Sequence, residues 1–140
     1  MCIRDSSERE QARARAMGAC WTGGPGDRPP VALDAAITFA PVGSVVVEAL
    51  GAVDRGGVVA INAIHLDQIP AFDYDDLWHE RSLRSVANVT RDDVTRFLDL
   101  AASVPVSTTI EVFALDEANE ALRRVRDGEL SGTAVLEPSR

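Results

Sequence analysis

LDAAITFAPVGSVVVEAL, Leu33 to Leu50, decides how the rest of the chain is read. Its first half is a nearly continuous apolar run, the pattern of a parallel strand covered on both faces. From Gly43 the stretch reads as a helix. Three valines oppose that, but Glu48, Ala49 and Leu50 favour it. A tight turn at Pro41-Val42-Gly43 joins the halves. A strand that turns straight into a helix is a common place to hold a nucleotide. Yet the spaced glycines that wrap a backbone around a pyrophosphate are absent here. A cofactor site, half of one, and a packed corner all remain open on this stretch alone.

Outward from that corner, the pattern repeats. Gly56-Gly57 is expected to end the helix, and GGVVAINAI reads as a second buried strand. HLDQIPAFDYDDLWHE is polar, long and proline-containing, so a loop or broken helix is expected. SLRSVANV reads as a third strand, and TRDDVTRFLDLAASV as a helix capped by Thr90 with Asp93 as its box partner. Val94, Phe97, Leu98 and Ala101 share one face of that helix. VSTTIEVFAL is a strand, DEANEALRRVRDG a helix stopped by Gly128, and GTAVLEP a last strand. Upstream, Ser7 caps a helix that Gly18 ends, ACWTGG is a short strand, and GGPGDRPP is a loop. Gly24 and Gly26 fail as a dinucleotide fingerprint, because Pro29 and Pro30 stand where its last glycine and helix belong.

Alternating strands and helices predict an α/β fold, a parallel sheet with helices on its faces. Ligands of such sheets sit beyond the carboxyl ends of the strands. Three ends therefore become candidates: Phe39-Ala40-Pro41-Val42, Ala63-Ile64-His65, and Val86-Ala87-Asn88.

Composition removes other functions. The 140 residues suit one domain, and the net charge of -8 repels phosphate backbones, so nucleic acid is not an expected partner. No apolar run is long enough to cross a bilayer, and the first residues lack a secretory signal, so a cytoplasmic location follows by default. Every basic residue is arginine. Schiff-base chemistry, a Gly-Lys-Ser/Thr phosphate loop and a Tyr/Lys pair built on Tyr74 are thereby excluded. Cys2 and Cys20 are too few for a metal knuckle, and Cys20 is read as a buried, inert thiol.

In order along the chain, ARAMGA, DAAITFAPVGSVVVEALGAVDRGGVVAINAIH, LWHERSLRSVANVTRDD and FALDEANEALRRVRDGELSGTAVLEP resemble the zinc-dependent alcohol dehydrogenases of the medium-chain dehydrogenase/reductase superfamily. The likeness runs from about Glu8 to Pro138. It implies a partial Rossmann-type sheet over residues 8–105, the C-terminal part of an NAD(P)-binding domain. Residues 106–138 would form the strand-helix-strand that returns to a catalytic domain lacking here. MCIRDS matches nothing in the family, so residues 1–7 are expected as a disordered or foreign leader. The Gly-rich turn, the ribose-reading residue after the second strand and the zinc ligands of complete members are not found.

The resemblance implies hydride transfer between an alcohol or aldehyde and NAD or NADP, assisted by a zinc held outside this chain. Phe39 to Val42 would flank the riboses. Ala63, Ile64 and His65 would lie along the nicotinamide, and Ser85, Val86 and Asn88 would hold its carboxamide. No catalytic or metal-binding residue is assigned within the chain, and complete members are expected to be homo-oligomers, with SVANV as an edge. Two other readings stand beside this one: a non-catalytic dinucleotide-responsive or interaction module, and a zinc-free quinone or enoyl reductase of the same superfamily. His65 lacks converging ligands for a metal, and His79 lacks the His-Glu-x-x-His spacing. Asp75, Asp76 and Glu80 read as a solvated helix start, and Trp78 as a packing anchor. Asn88 reads equally as a cofactor contact or a strand end.

Overall fold

The computed structural model describes residues 1–104 and 106–138. Strands and helices alternate: β1 (Cys2–Arg4), α1 (Glu8–Ala16), β2 (Trp21–Gly23), β3 (Leu33–Thr38), α2 (Gly43–Leu50), β4 (Val53–Ile61), α3 (Tyr74–Leu77) and β5 (Ser82–Ser85). Then follow α4 (Arg91–Ser103), β6 (Ile110–Ala114), a 3-10 turn at Leu115–Glu117, α5 (Ala118–Arg126) and β7 (Thr133–Glu137). Each strand pairing described is parallel. The α/β class read from the alternation is therefore the architecture observed. The strands form separate sheets, β1-β2, β3-β4-β5 and β6-β7, where one sheet was expected for the Rossmann part.

The chain divides into two compact units, one from Met1 to Asn88 and the other from Val89 onward. The junction expected at residue 105 lies outside the described residues. In the first unit, α2 lies against β3 and β4, and Ala49, Leu50, Val53 and Val59 form its core. Leu33, Ala36, Phe72, Leu77 and Leu83 pack around them. In the second unit, Phe113, Ala121 and Leu130 are buried together, with Ala134 against them.

Local chemistry explains most element ends. The Ser7 hydroxyl accepts from the Glu10 amide at the start of α1. Thr90 and Asp93 form a complete capping box at α4: the Asp93 carboxylate accepts from the Thr90 amide at 2.8 Å, and the Thr90 hydroxyl accepts from the Asp93 amide at 3.2 Å. Gly128, at φ 68°, ends α5 as expected.

Three expectations are corrected. Gly56-Gly57 does not end α2. The helix stops at Leu50, and Val53 is already in β4, paired with Leu33 and almost fully buried. The register then jumps to Ala35 opposite Val58, so Asp54 to Gly57 form a bulge. Gly56 takes φ 71° within it and donates its amide to the His79 carbonyl. The glycines serve the bulge, not the helix. The third strand is shorter than SLRSVANV, because its partner β4 ends at Ile61 opposite Ser85. Disorder at residues 1–7 is not what the structure has: Cys2–Arg4 pairs with β2, and the Ser7 amide bonds the Asp5 carboxylate. A main-chain ladder asks little of side-chain identity, so an extended segment can add to an open strand edge whatever its origin.

Candidate functional site

The three candidate strand ends come together. β3, β4 and β5 lie side by side in that order, and Thr38, Ile61 and Ser85 are in register. The ladder reaches one residue further. The Asn62 amide donates to the Thr38 carbonyl at 2.9 Å, and the Val86 amide to the Ile61 carbonyl at 2.9 Å. Phe39, Asn62 and Val86 therefore leave the sheet at one level, and Phe39 to Val42, Ala63 to His65 and Ser85 to Asn88 line one edge. This is the edge where a parallel sheet holds its ligand.

The edge is apolar and open. Phe39, Ile64 and Val86 are 68%, 87% and 46% exposed, and Val42 is also exposed. Ala40, Pro41, His65, Ser85 and Asn88 are exposed too, while Ala63 is half-buried. Large apolar side chains exposed just beyond the strand ends suit a flat, partly apolar ligand surface.

Three residues here were not legible as site residues from the sequence. Thr38, the last residue of β3, is 4% exposed, and its hydroxyl finds no partner. A hydroxyl at the end of a mostly apolar strand was the available signal. Gly43 opens α2, and a Cβ on it would collide with the Gln68 carbonyl oxygen. Its lack of a side chain admits the backbone of the loop after β4, not a phosphate. Asp67 lies in that loop, and its carboxylate accepts from the Gly43 amide. No local pattern in the sequence links residues so far apart.

The other singled-out residues play local roles. Asp75 and Asp76 sit in the first turn of α3, as a solvated helix start should. Trp78 is half exposed and tilts against Tyr74, with ring centroids 5.5 Å apart, so it does not anchor the core. His79 and Glu80 both take left-handed backbone, at φ 71° and 62°. Arg81 holds this bend by donating to the carbonyls of Val53 at 3.1 Å and Asp76 at 3.1 Å. Cys20 is exposed, not buried, because it precedes the short edge of β2; its Sγ lies 3.8 Å from that of Cys2. Hydrogen bonds from the terminal ammonium and from Cys2 hold its thiol below the usual range.

Two cavities lie elsewhere. One of about 850 Å³ is lined by Val112 to Asp116 with Glu137 and Pro138. Another of about 570 Å³ sits by the amino ends of β3 and β4, where Arg4 pairs with Glu48 at 2.5 Å. Neither includes Phe39, Ile64 or Val86. Among the described residues, no group of three or more His, Cys, Asp or Glu could hold a metal ion. Among them, no helix is long and apolar enough to cross a membrane.

A parallel β-α-β sheet with an open carboxyl edge defines a Rossmann-type α/β protein, and known proteins agree. No family model matches the chain. The probable alcohol dehydrogenase AdhA of Mycobacterium tuberculosis is 46% identical over 130 residues, covering 89% of this chain and 38% of that protein. The crystal structure of the alcohol dehydrogenase of Aeropyrum pernix matches with a TM-score of 0.78 at 20% identity, covering 98% of this chain and 42% of that one. The 2R,3R-butanediol dehydrogenase of Bacillus subtilis matches with a TM-score of 0.79 at 14% identity, covering 99% and 43%. The chain is a homologue of the alcohol dehydrogenases, and the resemblance read from its motifs is borne out. It spans about two fifths of the length of that mycobacterial relative, and less of two others.

Proposed function

We propose that this chain supplies the nicotinamide-side wall of an NAD(P) site in an oxidoreductase that passes hydride between a primary or secondary alcohol and its carbonyl product. The observation that carries this is the level ending of β3, β4 and β5, with Phe39, Ile64 and Val86 exposed along one edge. The residues present fit the nucleoside half of a dinucleotide. Flat rings and riboses can lie on Phe39, Val42 and Ile64, and main-chain groups from Ser85 onward can bond a carboxamide. The pyrophosphate has no Gly-rich cradle at this edge, and the first amide of α2, that of Gly43, is taken by Asp67. Zinc does not fit the described residues, so no step here is derived through it.

When bound, the nicotinamide accepts or gives the hydride. This chain's contribution is to orient the ring and keep water from one face of it. Small-molecule alcohols or aldehydes are the substrates of this reading, the location is cytoplasmic, and the assembled enzyme is a homo-oligomer. In this reading the described residues supply neither the zinc ligands nor the phosphate cradle.

Titration of the chain with nicotinamide riboside, followed by amide chemical shifts, tests the reading. Shifts confined to Phe39 to Val42, Ala63 to His65 and Ser85 to Asn88 are expected. No shift at any of them would sink it. Calorimetry with NAD(H) and NADP(H) is expected to show negligible heat for the chain alone. Micromolar binding would favour a self-sufficient dinucleotide-responsive module instead.

A further inference from the structure

The loop after β4 is held at three points. Asn62 is tied to Thr38 by its amide, Asp67 accepts from the Gly43 amide, and Phe72 packs against the core. Between the first two ties, the chain turns at Ile64-His65 and has no element of its own. The position of Ala63 to His65 therefore depends on where Asp67 is anchored. The anchor is specific: Gly43 is buried, and the backbone at Gln68 and Ile69 comes so close that only glycine fits. The contact also places a carboxylate at the positive end of α2, where an anionic ligand would otherwise be favoured.

We propose that Asp67 is a positioning and specificity-determining residue, latching the loop onto α2 so that Ala63 to His65 lie along the nicotinamide while phosphate is refused at that corner. This rests on the nucleoside-wall reading above. It assigns Asp67 no contact with the reacting atoms. Its carboxylate acts through Gly43 and the loop backbone. The latch also gives the corner a polarity: a ribose and a neutral or cationic ring are admitted, and a phosphate meets a fixed negative charge.

The test uses the chain in solution. In Asp67→Ala, amide exchange at Gly43 and at residues 62–66 is expected to quicken on the order of tenfold, since a hydrogen bond to a charged group is lost. In Asp67→Asn, whose side-chain oxygen still accepts, the loop should exchange as in the parent. Inorganic phosphate, silent at the start of α2 in the parent, should then shift amides of its first turn, Gly43 keeping its bond to the side-chain oxygen. Nicotinamide riboside should perturb Phe39, Ile64 and Val86 in the parent, and in Asp67→Ala should keep Phe39 and Val86 but lose Ile64. Unchanged loop exchange in Asp67→Ala overturns the latch. Phosphate still silent in Asp67→Asn overturns the charge exclusion, and Asp67→Ser, with a side chain too short to reach the Gly43 amide, replaces Asp67→Ala in the exchange test if that variant fails to fold. A riboside that perturbs nothing in the parent overturns the nucleoside wall, while the exchange result stands on its own.

Discussion

The two compact units are held by different forces. In the first, Val46, Leu50, Val53 and Val59 are essentially shut from solvent under α2. In the second, α4 buries no residue, and Val94, Phe97 and Leu98 stay exposed. Its polar contacts are dense instead. Glu111 accepts from the Ser131 amide and pairs with Arg124, while Arg123 faces Glu120, Asp127 and Glu129. Arg124 also sits over the Phe113 ring, 5.4 Å from its centroid. Burial is worth about 25 cal/mol per Å², whereas an exposed ion pair contributes roughly 0–1 kcal/mol. The first unit should therefore carry most of the stability, and the second should follow pH and salt.

Leu50→Ala challenges that contrast hardest. It opens a cavity in the most enclosed part of the molecule and should cost about 2–5 kcal/mol, read as a lower urea midpoint. Both tryptophans, Trp21 and Trp78, lie in the first unit. Their fluorescence follows that unit alone, while circular dichroism follows both. A Leu50→Ala midpoint equal to the parent's by fluorescence would remove the basis of the comparison. Gly43→Ala comes next. Its Cβ would strike the Gln68 carbonyl, and the shift needed should cost about 1–3 kcal/mol. A neutral result would mean the loop yields freely at its anchor.

Much of this was legible in the sequence, and the gaps have physical reasons. The strand of LDAAITF and the helix from Gly43 were readable because their patterns are local and agree with propensity. The Thr90-Asp93 box was readable because its chemistry spans three residues. The shared edge of Phe39, Ile64 and Val86 followed from the rule for parallel sheets, before any register was known. The bulge at Asp54 to Gly57 was not legible: Gly-Gly after a helix is a stop signal, and only the pairing of Val53 with Leu33 shows otherwise. Asp67 was missed for a related reason. Its partner Gly43 is distant in sequence, and a lone acid in a polar loop looks solvated. Cys20 misled because an apolar neighbourhood in sequence does not bury a residue at the end of a two-stranded sheet.

Acid should separate the units further. Asp93 is held below its ordinary value by hydrogen bonds from Thr90, and Glu111 by the Ser131 amide. Glu120 and Asp127 are lowered by Arg123 and Arg126 respectively. Each is depressed in the folded unit, so its stabilisation is complete above the unfolded carboxyl values of about 4. It is lost as pH falls through the lower folded values. The groups are exposed, so each effect is small, but all four lie in the second unit. A titration from neutral pH downward should change circular dichroism before tryptophan fluorescence. Coincident changes would show that the units unfold as one.

The smallest effect sharpens the comparison from the other side. Thr90→Ala removes one half of the α4 box and should cost about 1 kcal/mol, confined to the signal that fluorescence does not see. Phe97→Ser on the same helix should cost less, because Phe97 is 59% exposed and most of its surface is already wet. Substitutions away from packed sites usually stay within about 0.5 kcal/mol. What Phe97→Ser should alter is association. A helix face carrying Val94, Phe97 and Leu98 in water is a patch that proteins cover. Sedimentation velocity over a range of concentrations should show less self-association in the variant than in the parent. If the variant instead lost more stability than Thr90→Ala, α4 would be packed in solution, and the second unit would rest on burial after all.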